Sequence, residues 1–169
     1  FLTGDLFNLF VFFEVMLVAS YGLMLHGSGR ERVGSSLHYL AVNLVSSFLM
    51  LIGLAIIYGL CGTLNMADLV VQAAQLSGPD RRLFDAGAAI LGIAYLIKAA
   101  AWPLNFWLPA AYGNASPPVA GMFAIMTKVG LYTLVRIGSL LVPSGAPATF
   151  SGDWMFAAGI ITLMFASIG

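Results

Sequence analysis

The sequence predicts an all-α fold, a polytopic bundle of transmembrane helices, and three observations predict it. Only 8% of the 169 residues are charged while 60% are hydrophobic, and the mean hydropathy is +0.96. A soluble domain carries about 25% charged residues, so a water-facing surface cannot be assembled from this supply. Four apolar stretches of about 20 residues or more, and a fifth that is cut short, match the helix length that crosses a hydrocarbon core at 1.5 Å per residue. Spans of this kind leave no residues for a sheet. The seven Lys plus Arg balance the seven Asp plus Glu with no basic block, which excludes a nucleic-acid surface. The single Cys61 excludes a disulfide framework. No nucleotide loop, zinc spacing, haem-attachment pair or catalytic triad is visible, so neither cofactor nor metal is expected and the chain is not expected to be an enzyme by itself.

The first span is expected over 6–25, begun through Thr3, Gly4 and Asp5 and left through the polar run 26–30. The second, 37–58, carries Asn43, Ser46 and Ser47 at i, i+3 and i+4, hence on one face that meets another helix. Residues 62–82 are too polar for hydrocarbon and read as a loop with a short surface helix over 66–75. The third span, 83–108, contains Lys98 and then Pro103 and Pro109. Each proline lacks a backbone donor and disfavours helix in the residue before it, so a broken helix is expected near 102–109. Pro117 and Pro118 start a fourth span over 119–142, where proline suits a first turn. Lys128, Tyr132 and Arg136 follow on it at four-residue spacing, along one stripe. A turn-rich connector over 143–153 leads to an incomplete fifth span, 154–169. With Phe1 in place of an initiator Met and Gly169 inside an apolar run, the expectation is one transmembrane domain, a fragment cut at both ends. Charge bias does not orient the bundle: Arg30 and Arg32 precede the second span, Arg81 and Arg82 precede the third, and these fall on opposite sides.

The chemistry lies in the charges within the spans. Glu14, Lys98 and Lys128 each sit well inside one, where a lone charge costs about 2.5 to 3.5 kcal/mol on insertion scales. Left unpaired, the three together would cost roughly 7 to 10 kcal/mol, comparable to a domain's whole stability. The simplest compensation turns them inward, pairs Glu14 with one lysine and wets the other through internal water. A static buried ion pair rarely improves stability over apolar packing, so the pairing points to a proton relay. At about 4 Å and an effective dielectric near 20, a carboxylate stabilises an ammonium by about 4 kcal/mol. Moving or neutralising Glu14 would therefore loosen the proton on Lys98, from which it passes by water to Lys128. Arg136 and Tyr132 near the end of the fourth span, and His38 at the start of the second, are accessory candidates. Asp5 lies nine residues before Glu14, on the opposite side of an ideal helix and about 13 Å away along it, and reads as a helix-start residue. The interruption at Pro103 and Pro109 matters because broken transmembrane helices are tolerated only where protein or water satisfies the freed backbone.

The segments DLFNLFVFFEVMLVASYGLML at 5–25, LIKAAAWPLNFWLPAAY at 96–112 and PPVAGMFAIMTKVGLYTLVRIG at 117–138 resemble the antiporter-like membrane subunit family. That family comprises subunits of the Mrp-type (Mnh or Pha) multisubunit cation/proton antiporters and the proton-pumping membrane subunits of respiratory complex I. Within it the chain is most similar to the antiporter's D-type subunits. The resemblance implies that Glu14 matches the family's modulating carboxylate, Lys98 the lysine of its broken helix and Lys128 the lysine of the next helix. It also implies a longer parent of about fourteen helices in two inverted repeats. One departure is that complex I relatives often carry Asp and His after the broken helix, where this chain has Ala110, Ala111, Tyr112, Gly113 and Asn114.

The function expected is therefore a multi-pass subunit of a bacterial inner-membrane antiporter, partnered by other subunits of its complex and by lipid, that couples H+ to Na+ or K+. The alternative is a pump subunit of complex I, an NADH:quinone oxidoreductase, or of a related membrane-bound hydrogenase. Several converging oxygen ligands, which a sodium site requires, are not visible, so the cation stays open.

Overall fold

The computed structural model describes residues 2–26, 29–141 and 152–168. These residues form seven helices in the order α1 (Leu6–Leu25), α2 (Arg30–Cys61), α3 (Met66–Gln75), α4 (Gly78–Ala99), α5 (Leu108–Asn114), α6 (Pro117–Leu141) and α7 (Gly152–Ile168), with no strand among the described residues. Of these, α1, α2 and α6 are long and apolar enough to cross a membrane, and the chain is a multi-pass membrane protein.

Helix ends follow from local chemistry. Asp5 starts α1 by accepting the Asn8 backbone N–H at 2.8 Å, an N-cap that satisfies one orphan donor. Asn65 does the same for α3 through the N–H groups of Ala67 and Asp68. The two capped starts are stitched together, with Leu6 N–H donating to the Leu64 carbonyl at 2.9 Å and Met66 N–H to the Gly4 carbonyl at 2.8 Å. This pins α3 beside the mouth of α1. Gly62 closes α2 in the left-handed conformation at φ 68°, where a glycine carries no steric cost.

Three boundaries differ from the sequence expectation. Helix α2 begins at Arg30, not near residue 37, because Arg30, Glu31 and Arg32 suit a helix projecting past hydrocarbon. Its 32 residues make about 48 Å of helix against a core of about 30 Å. Helix α4 begins at Gly78, with Pro79 in its first turn. The break lies earlier than the prolines suggest: α4 ends at Ala99, Ala100 turns left-handed at φ 52°, and Pro109 sits in the first turn of α5, starting that helix instead of interrupting one. Pro103 lies in the turn between them. The connector expected over 143–153 lies outside the described residues up to Ser151, and α7 takes up its last two residues.

Helix α2 is the spine, packed on α1, α4 and α5, and α6 packs on α4. Two contacts are set by absent side chains. Gly53 on α2 and Gly87 on α4 face each other so closely that a Cβ on Gly53 would meet Leu91 Cγ at 2.6 Å and one on Gly87 would meet Ile56 Cγ2 at 2.8 Å. Gly130 on α6 lies against main chain, since its Cβ would fall 2.8 Å from Ala99 N and 3.0 Å from the Lys98 carbonyl carbon. Small residues permit such approaches, which matter in membranes because dispersion rather than hydrophobic burial drives helix association. The outward faces are apolar, as Phe12, Val18 and Phe48 illustrate.

Backbone atoms cannot swing away as a side chain can, so Gly130→Ala is expected to cost about 1 to 3 kcal/mol. Gly121→Ala, on the same helix with nothing within 4 Å of its Cβ, is expected to be neutral or stabilising by up to about 1 kcal/mol. Unfolding midpoints of the full-length protein in detergent distinguish the two; equal midpoints would contradict the close-approach argument.

Candidate proton-relay site

The site forms where α1, α2 and α4 meet. Lys98 occupies the last turn of α4 and is buried, with 6% exposure. The end of a helix concentrates partial negative charge on its free carbonyls, which favours a cation there. Two of those carbonyls are held by the break itself. The Ile97 carbonyl accepts Ala100 N–H and the Trp107 indole Nε1–H, both at 3.1 Å, and the Leu96 carbonyl accepts Ala101 N–H at 3.1 Å. The turn after Lys98 thus folds back to cap the helix that carries it.

The ammonium meets polar groups and charge from two other helices. Its Nζ lies 4.0 Å from Glu14 Oε1 on α1, donates to Ser47 Oγ on α2 at 3.1 Å and to the Asn43 carbonyl at 3.4 Å, and stands 5.8 Å from the Phe13 ring centre. Ser47 Oγ in turn donates to Glu14 Oε1 and has the Asn43 carbonyl at 2.9 Å. Glu14 is less enclosed than its partner, with 28% of its side chain exposed. A cavity of about 20 Å³ adjoins Lys98, Asn43, Tyr39 and Trp107, enough for about one water.

The polar face expected on α2 is directed inward as a unit. Ser46 donates across to the Ala94 carbonyl of α4 at 2.8 Å, while Asn43 donates to Tyr39 O on its own helix. Tyr39 is wedged between Trp107 and Phe123 at centroid distances of 5.4 and 5.3 Å, and its hydroxyl meets Ser20 Oγ at 2.7 Å. Sequence spacing marked Ser47 as face-sharing but not as the group lying between acid and base; Phe13 and the capping Trp107 were missed. A tryptophan a few residues after a left-handed turn carries no periodic signal, so only the folded turn reveals its role.

Lys128 is not brought to the pair. It lies two residues from Gly130, about 200° around the helix, so packing Gly130 on α4 turns Lys128 elsewhere. Its side chain is exposed and lines an opening of about 520 Å³ bounded by Leu96 and Ala99 of α4, Leu131 of α6 and Thr162 of α7. Arg136 and Tyr132 contact each other, at 3.3 Å between guanidinium and hydroxyl. His38 is exposed and rests edge-on against Phe106 at 5.9 Å. Pro103 and Pro109 flank Trp107 in sequence, and the turn just before Pro103 is joined to α7, with Trp102 N–H donating to Thr162 Oγ1 at 3.0 Å. Among the described residues no cluster of three His, Cys, Asp or Glu could hold a metal ion.

Residues 3–169 match the family described as "NADH:quinone oxidoreductase/Mrp antiporter, TM". The chain belongs to this family. It is 57% identical over 171 residues to the D-type subunit of a probable K+/H+ antiporter from Rhizobium meliloti, an alignment covering 100% of this chain and 32% of that protein. It is 43% identical over 142 residues to the D-type subunit of a Na+/H+ antiporter from Alkalihalophilus pseudofirmus, covering 83% of this chain and 28% of that one. Among solved structures it resembles a chain of the Mrp complex from Dietzia sp. DQ12-45-1b, with a TM-score of 0.72 and 41% identity, covering 83% of this chain and 26% of the other. This member of the NADH:quinone oxidoreductase/Mrp antiporter family therefore spans about a third of the length of the curated relatives it matches.

Trp107→Phe leaves a ring but removes the N–H that satisfies the Ile97 carbonyl, a loss expected to cost about 1 to 3 kcal/mol. Trp102→Phe, at a side chain that stacks on Phe165 at 5.0 Å, keeps its stacking and is expected to cost less than about 1 kcal/mol. Thermal unfolding of the two variants compares them directly; an inverted order would remove Trp107 from its capping role.

Proposed function

We propose that this chain is part of a proton-translocating membrane subunit of a multisubunit Na+/H+ or K+/H+ antiporter in a bacterial inner membrane, partnered by the other subunits of that complex. The observation that carries the reading is the buried ammonium of Lys98 held 4.0 Å from the partly exposed acid Glu14 at the end of a broken helix. A cation whose charge depends on one nearby acid is a switch: with Glu14 ionised and close, the charged form of Lys98 is favoured, and when Glu14 withdraws or takes up a proton, the ammonium gives one up more readily. Lys128, lining the neighbouring opening, is the onward acceptor. The two lysines line different cavities, so the onward step requires water to enter between the small cavity beside Lys98 and the opening that Lys128 lines. Arg136, Tyr132 and His38 would act only at the margins of this path.

Similarity to the D-type subunits of two antiporters supports this reading over a redox-driven pump. The family description also spans NADH:quinone oxidoreductase, in which the same relay would serve electron transfer. Neighbouring genes separate the two, since small antiporter subunits and iron–sulfur subunits predict opposite parents.

Lys98→Ala in the full-length complex is expected to abolish cation-dependent proton movement in everted vesicles while the complex still assembles. Full antiport in that variant would overturn the relay. Glu14→Gln, which keeps the shape and removes the charge, is expected to slow antiport about tenfold or more, a barrier increase of at least about 1.4 kcal/mol. An unchanged rate would show that the acid is a structural partner alone.

A further inference from the structure

We propose that the Ser47 hydroxyl is the proton-carrying link between Lys98 and Glu14, a step that rests on the relay reading above. The two charged groups are 4.0 Å apart, beyond the roughly 2.7 to 2.9 Å of a charge-assisted hydrogen bond, so at this separation no proton crosses directly. Ser47 closes the gap. It is 5% exposed, accepts from Lys98 Nζ at 3.1 Å and donates to Glu14 Oε1. A hydroxyl can accept and donate at once, which neither a methyl group nor the apolar neighbours on this face can do.

The step balances within the three residues. An Nζ–H bond of Lys98 breaks as a new Oγ–H bond forms on Ser47. The original Oγ–H bond of Ser47 breaks as an Oε1–H bond forms on Glu14. Lysine ends as the neutral amine, glutamate as the neutral acid and serine as it began, with no further reactant. Reversal restores the ion pair. Neutral products also suit a water-poor surrounding, where separated charges are costly.

Ser47 has one proton and two acceptors. Its second acceptor is the Asn43 carbonyl one turn earlier at 2.9 Å, a bond that buried helical hydroxyls commonly make. Ser36 and Thr133 make that back-bond too, to the carbonyls of Arg32 and Val129. At Ser47 a carboxylate from another helix competes for the same proton. Turned to Asn43, the hydroxyl leaves the ion pair intact and the link open; turned to Glu14, it completes the wire. Ser47 is therefore a rotor whose two settings hold or pass the proton.

The test measures cation-dependent proton transport by the full-length complex in everted vesicles, normalised to the amount of assembled complex. Ser47→Ala is expected to lower kcat about a hundredfold, the lower range of what a positioned proton-transfer group contributes, with KM for the cation unchanged. Ser47→Thr keeps the hydroxyl and is expected to recover kcat to within about threefold of the parent. A wild-type kcat in Ser47→Ala, a loss that threonine fails to recover, or a change confined to KM would each overturn the link. Lys98→Ala, run alongside, separates the two ideas. If it abolishes transport while Ser47→Ala transports normally, only the hydroxyl link falls; if it too transports normally, the relay falls first.

Discussion

The structure depends on how one buried ammonium is kept charged. Lys98 cannot face hydrocarbon without a cost of several kcal/mol, and its compensation comes from three helices at once: the carboxylate of α1, the hydroxyl and a main-chain carbonyl of α2, and the carbonyl end of α4. Each source imposes a constraint. Helix α1 must present Glu14 inward, α2 must point its Asn43–Ser47 turn toward the same place, and α4 must stop one residue after the lysine. The break is thus part of the electrostatics. A continuous helix would consume the carbonyls that Ala100, Ala101 and Trp107 now share, and would move the partial negative charge away from Lys98.

Keeping these groups within hydrogen-bond reach requires the helices to approach closely, and glycine does this where a side chain would separate them. Gly53 and Gly87 bring α2 onto α4 along the middle of the bundle, and Gly130 brings α6 onto the main chain at Lys98 itself. The last contact has a double consequence. It supports the broken end of α4 at its main chain, and it turns Lys128 toward the opening shared with α7. The two lysines thereby line different cavities, and α7, through Thr162 and Phe165, reaches the turn that follows the first of them.

Much of this was legible in the sequence. Hydropathy and length mark α1 and α6 to within a few residues, and the rarity of charge makes Glu14, Lys98 and Lys128 conspicuous. The prolines announce an interruption. The interruption over 100–107 overlaps the stretch they mark and starts two residues earlier, because helix ends are set by which carbonyls find donors, and Ala100 supplies the left-handed turn before either proline is reached. The start of α2 was missed for a related reason: a helix does not stop where its hydrophobicity stops, and residues 30–36 continue it into a polar setting.

By itself, then, the sequence determined that the chain is a helical membrane protein of the antiporter-like subunit family and which ionisable side chains are too costly to be incidental, since burial cost and helical period are properties of residue type and spacing. Tertiary structure alone decided which of those groups meet. Periodicity puts Asn43, Ser46 and Ser47 on one face without naming what that face touches, and it treats Lys98 and Lys128 alike. Only the packing of α1, α2 and α4 sets a hydroxyl between the acid and the first lysine, and only the Gly130 contact turns the second lysine away. Contacts between residues 33 and 51 positions apart depend on helix rotation and approach, quantities summed over every side chain in the interface and encoded by no local pattern.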